Sequence, residues 1–347
     1  MQYTTTLSSV IDQNKIEQVF KHITRSDNIV ITTHLSPDGD ALGSSLALYH
    51  FLQRKGKNVK IIVPNSFPYF LKWMEGANKI LVHESVSHEV QLAISEADLI
   101  FSLDYNTLKR IGQVAPLVEK AKAKKILIDH HLFPDTSFDV IVSYPPISST
   151  CELIFRFFWQ KGLYGEMSRT EAECIYCGMM TDTVTFTCNA SNPEIYEIIS
   201  LLLRKGVDKD TIYSNVNNNF TEDRFRLLGF TLSQRMKIYP ELHSALIYLS
   251  IDDQSQFNLK KGDTEGFVNY PLNIKDIIFS TFIREDKELI KLSFRSQKTF
   301  PSNEFAAEFF NGGGHLNASG GEFYGKLEDA IEHFENGLKK YSSLLKE

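Results

Sequence analysis

The 347-residue sequence has few cysteines, no long apolar run and no excess of positive charge. Four cysteines, Cys151, Cys174, Cys177 and Cys188, are too few for a disulfide framework in a chain of this length, and they point to a reducing, cytoplasmic setting. Cys174 and Cys177 have C-x-x-C spacing, but no second pair follows at zinc-ribbon distance. The stretch around them is apolar and helix-like, so they read as buried thiols. No apolar run reaches bilayer length and no charged-then-apolar leader pattern opens the chain, so no membrane partner is expected. Acidic residues outnumber basic ones, 43 to 37, for a net charge of -6. A protein that lives on long duplex DNA needs a basic footprint. Any nucleic acid handled here is therefore met locally, by a few cations in a cleft. Internal repeats, heptads and low-complexity segments are also missing.

What is present is a soluble globular composition, 42% hydrophobic and 23% charged, in a chain long enough for two domains. The first half alternates short apolar runs with amphipathic segments. Strands are expected at 28–33, 59–63, 98–103, 125–128 and 140–143, with helices at 41–55, 89–96 and 108–123 between them. Runs rich in Ile, Val and Leu without strict alternation indicate strands buried on both faces, and the βαβα order implies a doubly wound, mostly parallel sheet. Helices follow at 150–161, 169–181 and 193–204. A polar stretch, 206–223, leads into a connector. Beyond residue 242 the spacing changes to a smaller α/β domain with a mixed sheet, with strands at 245–250, 276–283 and 288–295 and helices at 303–310 and 327–346.

Ligands of open α/β sheets bind beyond the carboxyl ends of the strands. The first expected strand is followed by His34, Asp38 and Asp40. The strand ending at Leu103 is followed by Asp104, and the one ending at Ile128 by Asp129, His130 and His131. Asp182 closes a helix-like segment. Taken singly, Asp38-Gly39-Asp40 could be a turn or helix cap, and Asp104 or Asp182 a cap or surface residue. Taken together, they would crowd carboxylates that cannot all stay ionised alone. Two divalent cations, about 3.5–4 Å apart, are a general solution for displacement at phosphorus. Oxygen and imidazole donors without thiolate favour Mn²⁺, with Mg²⁺ or Co²⁺ as alternatives. The remaining histidines, His22, His50, His83, His88, His243 and His333, have no ligand spacing and read as surface or core residues.

His34-x-x-x-Asp38-x-Asp40, Asp104, Asp129-His130-His131 and Asp182 resemble the four ordered motifs of the DHH phosphoesterases. Gly312-Gly313-Gly314-His315 resembles the signature of their DHHA1 companion domain. The resemblance spans about residues 28 to 325, and length and domain order are most similar to the nanoRNase and 3′-phosphoadenosine-5′-phosphate (pAp) phosphatase branch. It implies a DHH catalytic domain at 1–205, a connector at 206–236 and a DHHA1 substrate-binding domain at 237–347, with the active site in the cleft between them. One metal would be held by His34, Asp38 and Asp104, the other by Asp40, Asp104, His130 and Asp182, with Asp104 bridging. Asp129 would orient a neighbouring histidine, His131 would face the scissile phosphate, and a water or hydroxide between the metals would attack. Arg295, Ser296, Gly313, Gly314 and His315 would hold a substrate phosphate. The implied activity is Mn²⁺-dependent hydrolysis of short RNA or DNA oligonucleotides, linear dinucleotides such as pApA, or pAp; the resemblance also allows a homodimer. The rivals are a pyrophosphatase or exopolyphosphatase, and a non-catalytic nucleic-acid-binding relative. One departure stands out: the fourth motif reads Asp182-Thr183-Val184 where this branch often has Asp-Thr-Gly. Valine avoids positive φ, so the backbone after the ligand is expected to differ.

Overall fold

The computed structural model describes residues 7–345 and divides into two compact units, Met1–Asn219 and Phe220–Glu347. In chain order the first unit carries α1 (Gln13–Arg25), β1 (Asn28–Thr32), α2 (Gly39–Arg54), β2 (Asn58–Val63), β3 (Leu81–Val82), α3 (His83–Ser95), β4 (Leu99–Leu103), α4 (Ala115–Lys120), β5 (Lys124–Asp129) and β6 (Val140–Ser143). Four helices follow: α5 (Thr150–Gln160), α6 (Arg169–Asp182), α7 (Pro193–Arg204) and α8 (Lys209–Asn217). The strands form one parallel sheet in the order β3-β2-β1-β4-β5-β6. The winding reverses between β1 and β4, and such a reversal opens a crevice at the carboxyl ends of the two strands.

Both faces of this sheet are covered, which explains the apolar runs. Val30, Ile62, Ile100 and Leu127 pack with Val90 and Ile94 of α3 and Val118 of α4. Side chains alternate along a strand, so Ile29, Ile31 and Phe101, also buried, face the other side. Helix α2 is buried on nearly every side, packed against β2, α5 and α6. The α2–α6 crossing is close because glycine lies on it. A Cβ on Gly43 would sit 2.5 Å from the Cys174 carbonyl oxygen, and one on Gly178 would sit 3.0 Å from Asp40 Oδ1 and, on the α5 side, 2.1 Å from Cys151 Sγ. Cys151, Cys174 and Cys177 are buried thiols and Cys188 is exposed, and none forms a disulfide.

The single helix expected at 108–123 is instead a 3₁₀ stretch, Leu108–Val114, followed by the short α4. Gly112 at φ 51 breaks the helical course inside the 3₁₀ stretch. The stretch read as a connector, 206–236, folds into α8 and the next helix, with the division between the units falling between the two.

The second unit contains α9 (Glu222–Gln234), β7 (Met236–Tyr239), β8 (Ser244–Leu249), α10 (Ile251–Gln256), β9 (Phe279–Glu285), β10 (Ile290–Ser296), α11 (Ser302–Phe309), β11 (Gly313–His315), β12 (Ala318–Phe323) and α12 (Leu327–Lys340). Its sheet is mixed, in the order β11-β12-β10-β9-β8-β7, with β8 and β9 the parallel pair. Phe279 and Phe294 on one face pack with Phe305 of α11 and Phe334 of α12. Ile247 and Phe282 on the other face pack with Leu227 and Leu228 of α9. Helix α12 ends at Lys340, short of the expected 346, and Lys346 lies outside the described residues. Among the described residues no helix is long and apolar enough to cross a membrane.

Candidate metal centre

The loop after β1 brings His34 to the sheet end, and Asp38 caps α2 there. Asp38 Oδ1 accepts the N–H groups of Asp40 and Ala41 at 3.0 Å each. The Asp38 side chain thus caps the helix and remains half-exposed. Asp40, in the first turn of α2, is buried.

Asp104 follows β4, the other strand at the reversal. It adopts φ 63, a left-handed conformation that aspartate tolerates better than most residues. Its two carboxylate oxygens face opposite sides. Oδ2 is 3.3 Å from His34 Nε2, and Oδ1 is 3.5 Å from His130 Nε2. Ligating atoms of His34, Asp38 and Asp104 lie within 4.8 Å of one another, as do those of Asp40, His130 and Asp182. His130 Nε2 is also 3.9 Å from Asp40 and 3.7 Å from Asp182. Asp104 therefore stands between two clusters of donors.

The imidazoles are set for ligation. His34 Nδ1 meets the Leu35 carbonyl at 2.9 Å, and His130 Nδ1 meets the Ile147 carbonyl at 3.3 Å. A carbonyl can only accept, so each Nδ1 carries the proton and Nε2 is aimed at the carboxylates. Asp129 Oδ1 takes His131 Nδ1 at 2.7 Å. Of the two neighbouring histidines, His131 is the one that Asp129 orients.

Burial, then the charges of Asp104 and Asp182, raise the Asp40 carboxyl well above the usual carboxylate range. Burial alone would pull His34 down, but hydrogen bonds to Asp104 and Asp38 outweigh it and push the imidazole up to about 10. Burial, aided by the positive charge of Arg110, holds His131 well below the ordinary histidine value. The site is thus electrostatically stressed: Asp40 resists ionising beside its neighbours, and His34 holds a proton to balance Asp104. Divalent cations bound there would relieve both stresses, by neutralising the carboxylates and taking the place of the His34 proton. The donors present, carboxylate oxygens and correctly oriented imidazoles, fit such ions.

Two further residues at the centre escaped the strand-end reading. The Thr150 N–H and hydroxyl donate to Asp40 and Asp104 at 2.6 and 2.9 Å, and the Cys151 N–H donates to Asp40 at 2.8 Å. The positive end of α5 therefore points at Asp40. Ser148, Glu152 and Arg156 form a buried chain of bonds that fixes this helix start. The signal was Ser148-Ser149-Thr150 before an apolar helix, a capping pattern with no catalytic look. Arg110, six residues beyond Asp104, carries no acid or imidazole signature at a strand end.

Asp182 ends α6, and the close α2–α6 crossing brings it to the same centre as Asp40. The expectation that valine would avoid positive φ is corrected here. Val184, Thr185 and Phe186 take φ 49, 58 and 60 in succession. Left-handed backbone costs about 1–2 kcal/mol per residue. It is held by its hydrogen bonds: Thr185 N–H to the Met180 carbonyl at 2.7 Å, and Thr187 and Cys188 N–H to the Thr183 carbonyl at 3.0 and 2.9 Å.

In the second unit, Arg295 and His315 both pair in register with Ala318, from β10 and β11 on either side of β12. They share one face of the sheet, opposite Phe294 and the aromatic core. Gly312 and Gly314 are required by packing: a Cβ would sit 2.0 Å from the Gly320 carbonyl oxygen in one case and 2.5 Å from that of Ala318 in the other. A Cβ on Gly313 would meet nothing within 4 Å. Ser296 is buried; its hydroxyl donates to the Phe300 carbonyl and accepts from Asn317, so it holds the loop after β10.

Comparison with known proteins gives a consistent picture. Residues 28–179 match the DHH family N-terminal domain, and residues 243–341 match the DHHA1 domain. An exopolyphosphatase-related protein from Bacteroides fragilis is 54% identical, with a TM-score of 0.93 over 98% of this chain and 100% of that one. The bifunctional oligoribonuclease and PAP phosphatase NrnA of Thermus thermophilus is 27% identical over 313 residues, 90% of this chain and 89% of the relative. The Mn²⁺ complex of RecJ from Thermus thermophilus, 13% identical, shares the fold at a TM-score of 0.56, over 98% of this chain and 56% of that one.

Proposed function

The chain belongs to the DHH family, with a DHHA1 domain after the DHH domain, and on that premise we propose that it is a Mn²⁺-dependent phosphohydrolase of short nucleotides. Its substrates are short oligoribonucleotides, linear dinucleotides such as pApA, and pAp. The observation that carries the reading is Asp104, whose two oxygens face two separate donor clusters. His34 and Asp38 with Asp104 would hold one cation; Asp40, His130 and Asp182 with Asp104 would hold the other. Bound there, the cations would lower the pKa of a water and neutralise charge on the phosphoryl oxygens.

The chain's own residues do the rest. Asp129 fixes the His131 ring through Nδ1. Burial keeps His131 neutral at neutral pH, so its Nε2 can take or return a proton at the reacting phosphate. Thr150 and the start of α5 hold Asp40 and Asp104 in place. Arg295 and His315, sharing one face of the second sheet, offer a guanidinium and an imidazole as donors to a terminal phosphate, and Gly313 lets it approach the backbone. A substrate held by its terminal phosphate is short, which fits oligonucleotides and bisphosphorylated nucleotides better than long nucleic acid. Free thiols, one of them the exposed Cys188, fit the cytoplasm.

The test is hydrolysis of pApA, pAp, a short RNA and pyrophosphate with Mn²⁺, Mg²⁺ or chelator. Turnover of the nucleotides that needs Mn²⁺ supports the reading. Turnover confined to pyrophosphate or polyphosphate would favour the inorganic rival, and binding of RNA without turnover would favour a non-catalytic relative.

A further inference from the structure

Arg110 lies in the 3₁₀ stretch that follows Asp104. The Leu35 N–H donates to its carbonyl at 2.8 Å, tying this stretch to the residue after His34. The loops after β1 and β4 are thereby joined beside the first cluster of donors. The Arg110 side chain is half-buried, and no hydrogen bond or ion pair engages its guanidinium among the described residues. Its charge nevertheless acts on His34, Asp38 and His131.

This arrangement is unusual for a cation. Other arginines here that lose solvent are satisfied: the buried Arg156 by Glu152 and Glu194, and the partly buried Arg235 by Asp253. Arg110 stays more than 4 Å from Asp38, the nearby half-exposed carboxylate. It also opposes ligand chemistry at His34, because a positive charge there disfavours both a protonated imidazole and a bound cation. An anion is the missing partner for such a group. A guanidinium offers two parallel donors that match two oxygens of a phosphate.

We propose that Arg110 is a catalytic residue, which binds the non-bridging oxygens of the reacting phosphoryl group from the side of His34 and Asp38. The inference rests on the phosphohydrolase reading above. The developing negative charge is then met by a fixed cation at no cost in reorganisation.

The experiment measures kcat and KM for pApA with saturating Mn²⁺, together with Mn²⁺ affinity and melting temperature. The proteins are the unsubstituted chain, Arg110→Ala and Arg110→Lys. Arg110→Ala should lose about 10²–10³-fold in kcat, as for removal of one transition-state donor, with Mn²⁺ affinity and melting temperature kept. Millimolar guanidinium should restore part of the activity of Arg110→Ala and leave the unsubstituted enzyme unchanged. Arg110→Lys should fall between, because it keeps the charge and loses the paired geometry. Turnover of Arg110→Ala within threefold of the unsubstituted enzyme would overturn the inference alone, as would a loss that tracks lost Mn²⁺ binding and resists guanidinium. Should Arg110→Ala fail to fold, Arg110→Lys decides, with a kcat equal to that of the unsubstituted enzyme overturning the inference. Absence of turnover by the unsubstituted chain on every nucleotide would instead overturn the hydrolase reading, and this inference with it.

Discussion

Thr150 is a side chain without ligand chemistry that holds two carboxylates of the candidate metal centre. Its N–H holds Asp40 and its hydroxyl holds Asp104. Thr150→Val keeps the shape and the N–H but removes the bond to Asp104. Outer partners of ligands are commonly worth about 10–100-fold in metal affinity or activity. Mn²⁺ titration of Thr150→Val should show weakening of about tenfold with an unchanged melting temperature; unaltered affinity would deny Thr150 this role. The acidic and histidine members of the centre were legible in the sequence because three strand ends carried them. Thr150 and Arg110 were not, since a capping threonine and a lone arginine have no distinctive spacing. The left-handed run at Val184 was illegible because local preference argues against it, and hydrogen bonds back to Met180 and Thr183 override that preference.

Elements buried on both faces announced themselves. The five strands expected in the first sheet occur within one or two residues of their expected positions, because two-sided burial demands continuous apolar runs. Strand β3 is only two residues long, and β11 consists of two glycines and a histidine, so neither carries a β pattern. Gly313 in β11 lends itself to a separate test. No packing contact and no positive φ requires glycine there. Gly313→Ala should therefore leave the melting temperature within about 1 °C, since exposed changes of this kind stay within about 0.5 kcal/mol, while raising KM for pApA several-fold. A fall in stability with unchanged KM would contradict a substrate-approach role. Helix α10 supplies a pH test. Burial works against the Asp253 carboxylate, but the Arg235 guanidinium and the Ser250 N–H outweigh it and hold the carboxyl below its usual value. A depressed folded-state value adds stability above the unfolded pKa of about 3.9, and that stability is lost as pH falls through the folded value. Asp253→Asn should cost about 1–2 kcal/mol at pH 7, discounted because Arg235 is a third exposed. Melting curves from pH 7 to 2 should show the difference shrinking only below about pH 4; a pH-independent gap would deny the ion pair its part.

The whole chain joins a parallel, doubly wound unit that gathers the acids and histidines to a second unit whose sheet presents Arg295 and His315. The net charge of -6 is that of a chain without a broad basic footprint. The two-domain α/β organisation was legible from the change of spacing near residue 242. The helical character of 206–223 was hidden by its polarity, since α8 buries only Ile212 and Val216. If Asp104 joins two cations into one hydrolytic centre, Asp104→Asn must differ from the unsubstituted chain both in bound Mn²⁺ per chain and in pApA turnover. Two Mn²⁺ ions and turnover are expected in the unsubstituted chain. Asp104→Asn should lose at least one ion and at least about 10³-fold in kcat, as for loss of a group on which the whole centre depends. Near-normal turnover by Asp104→Asn would contradict the bridging role.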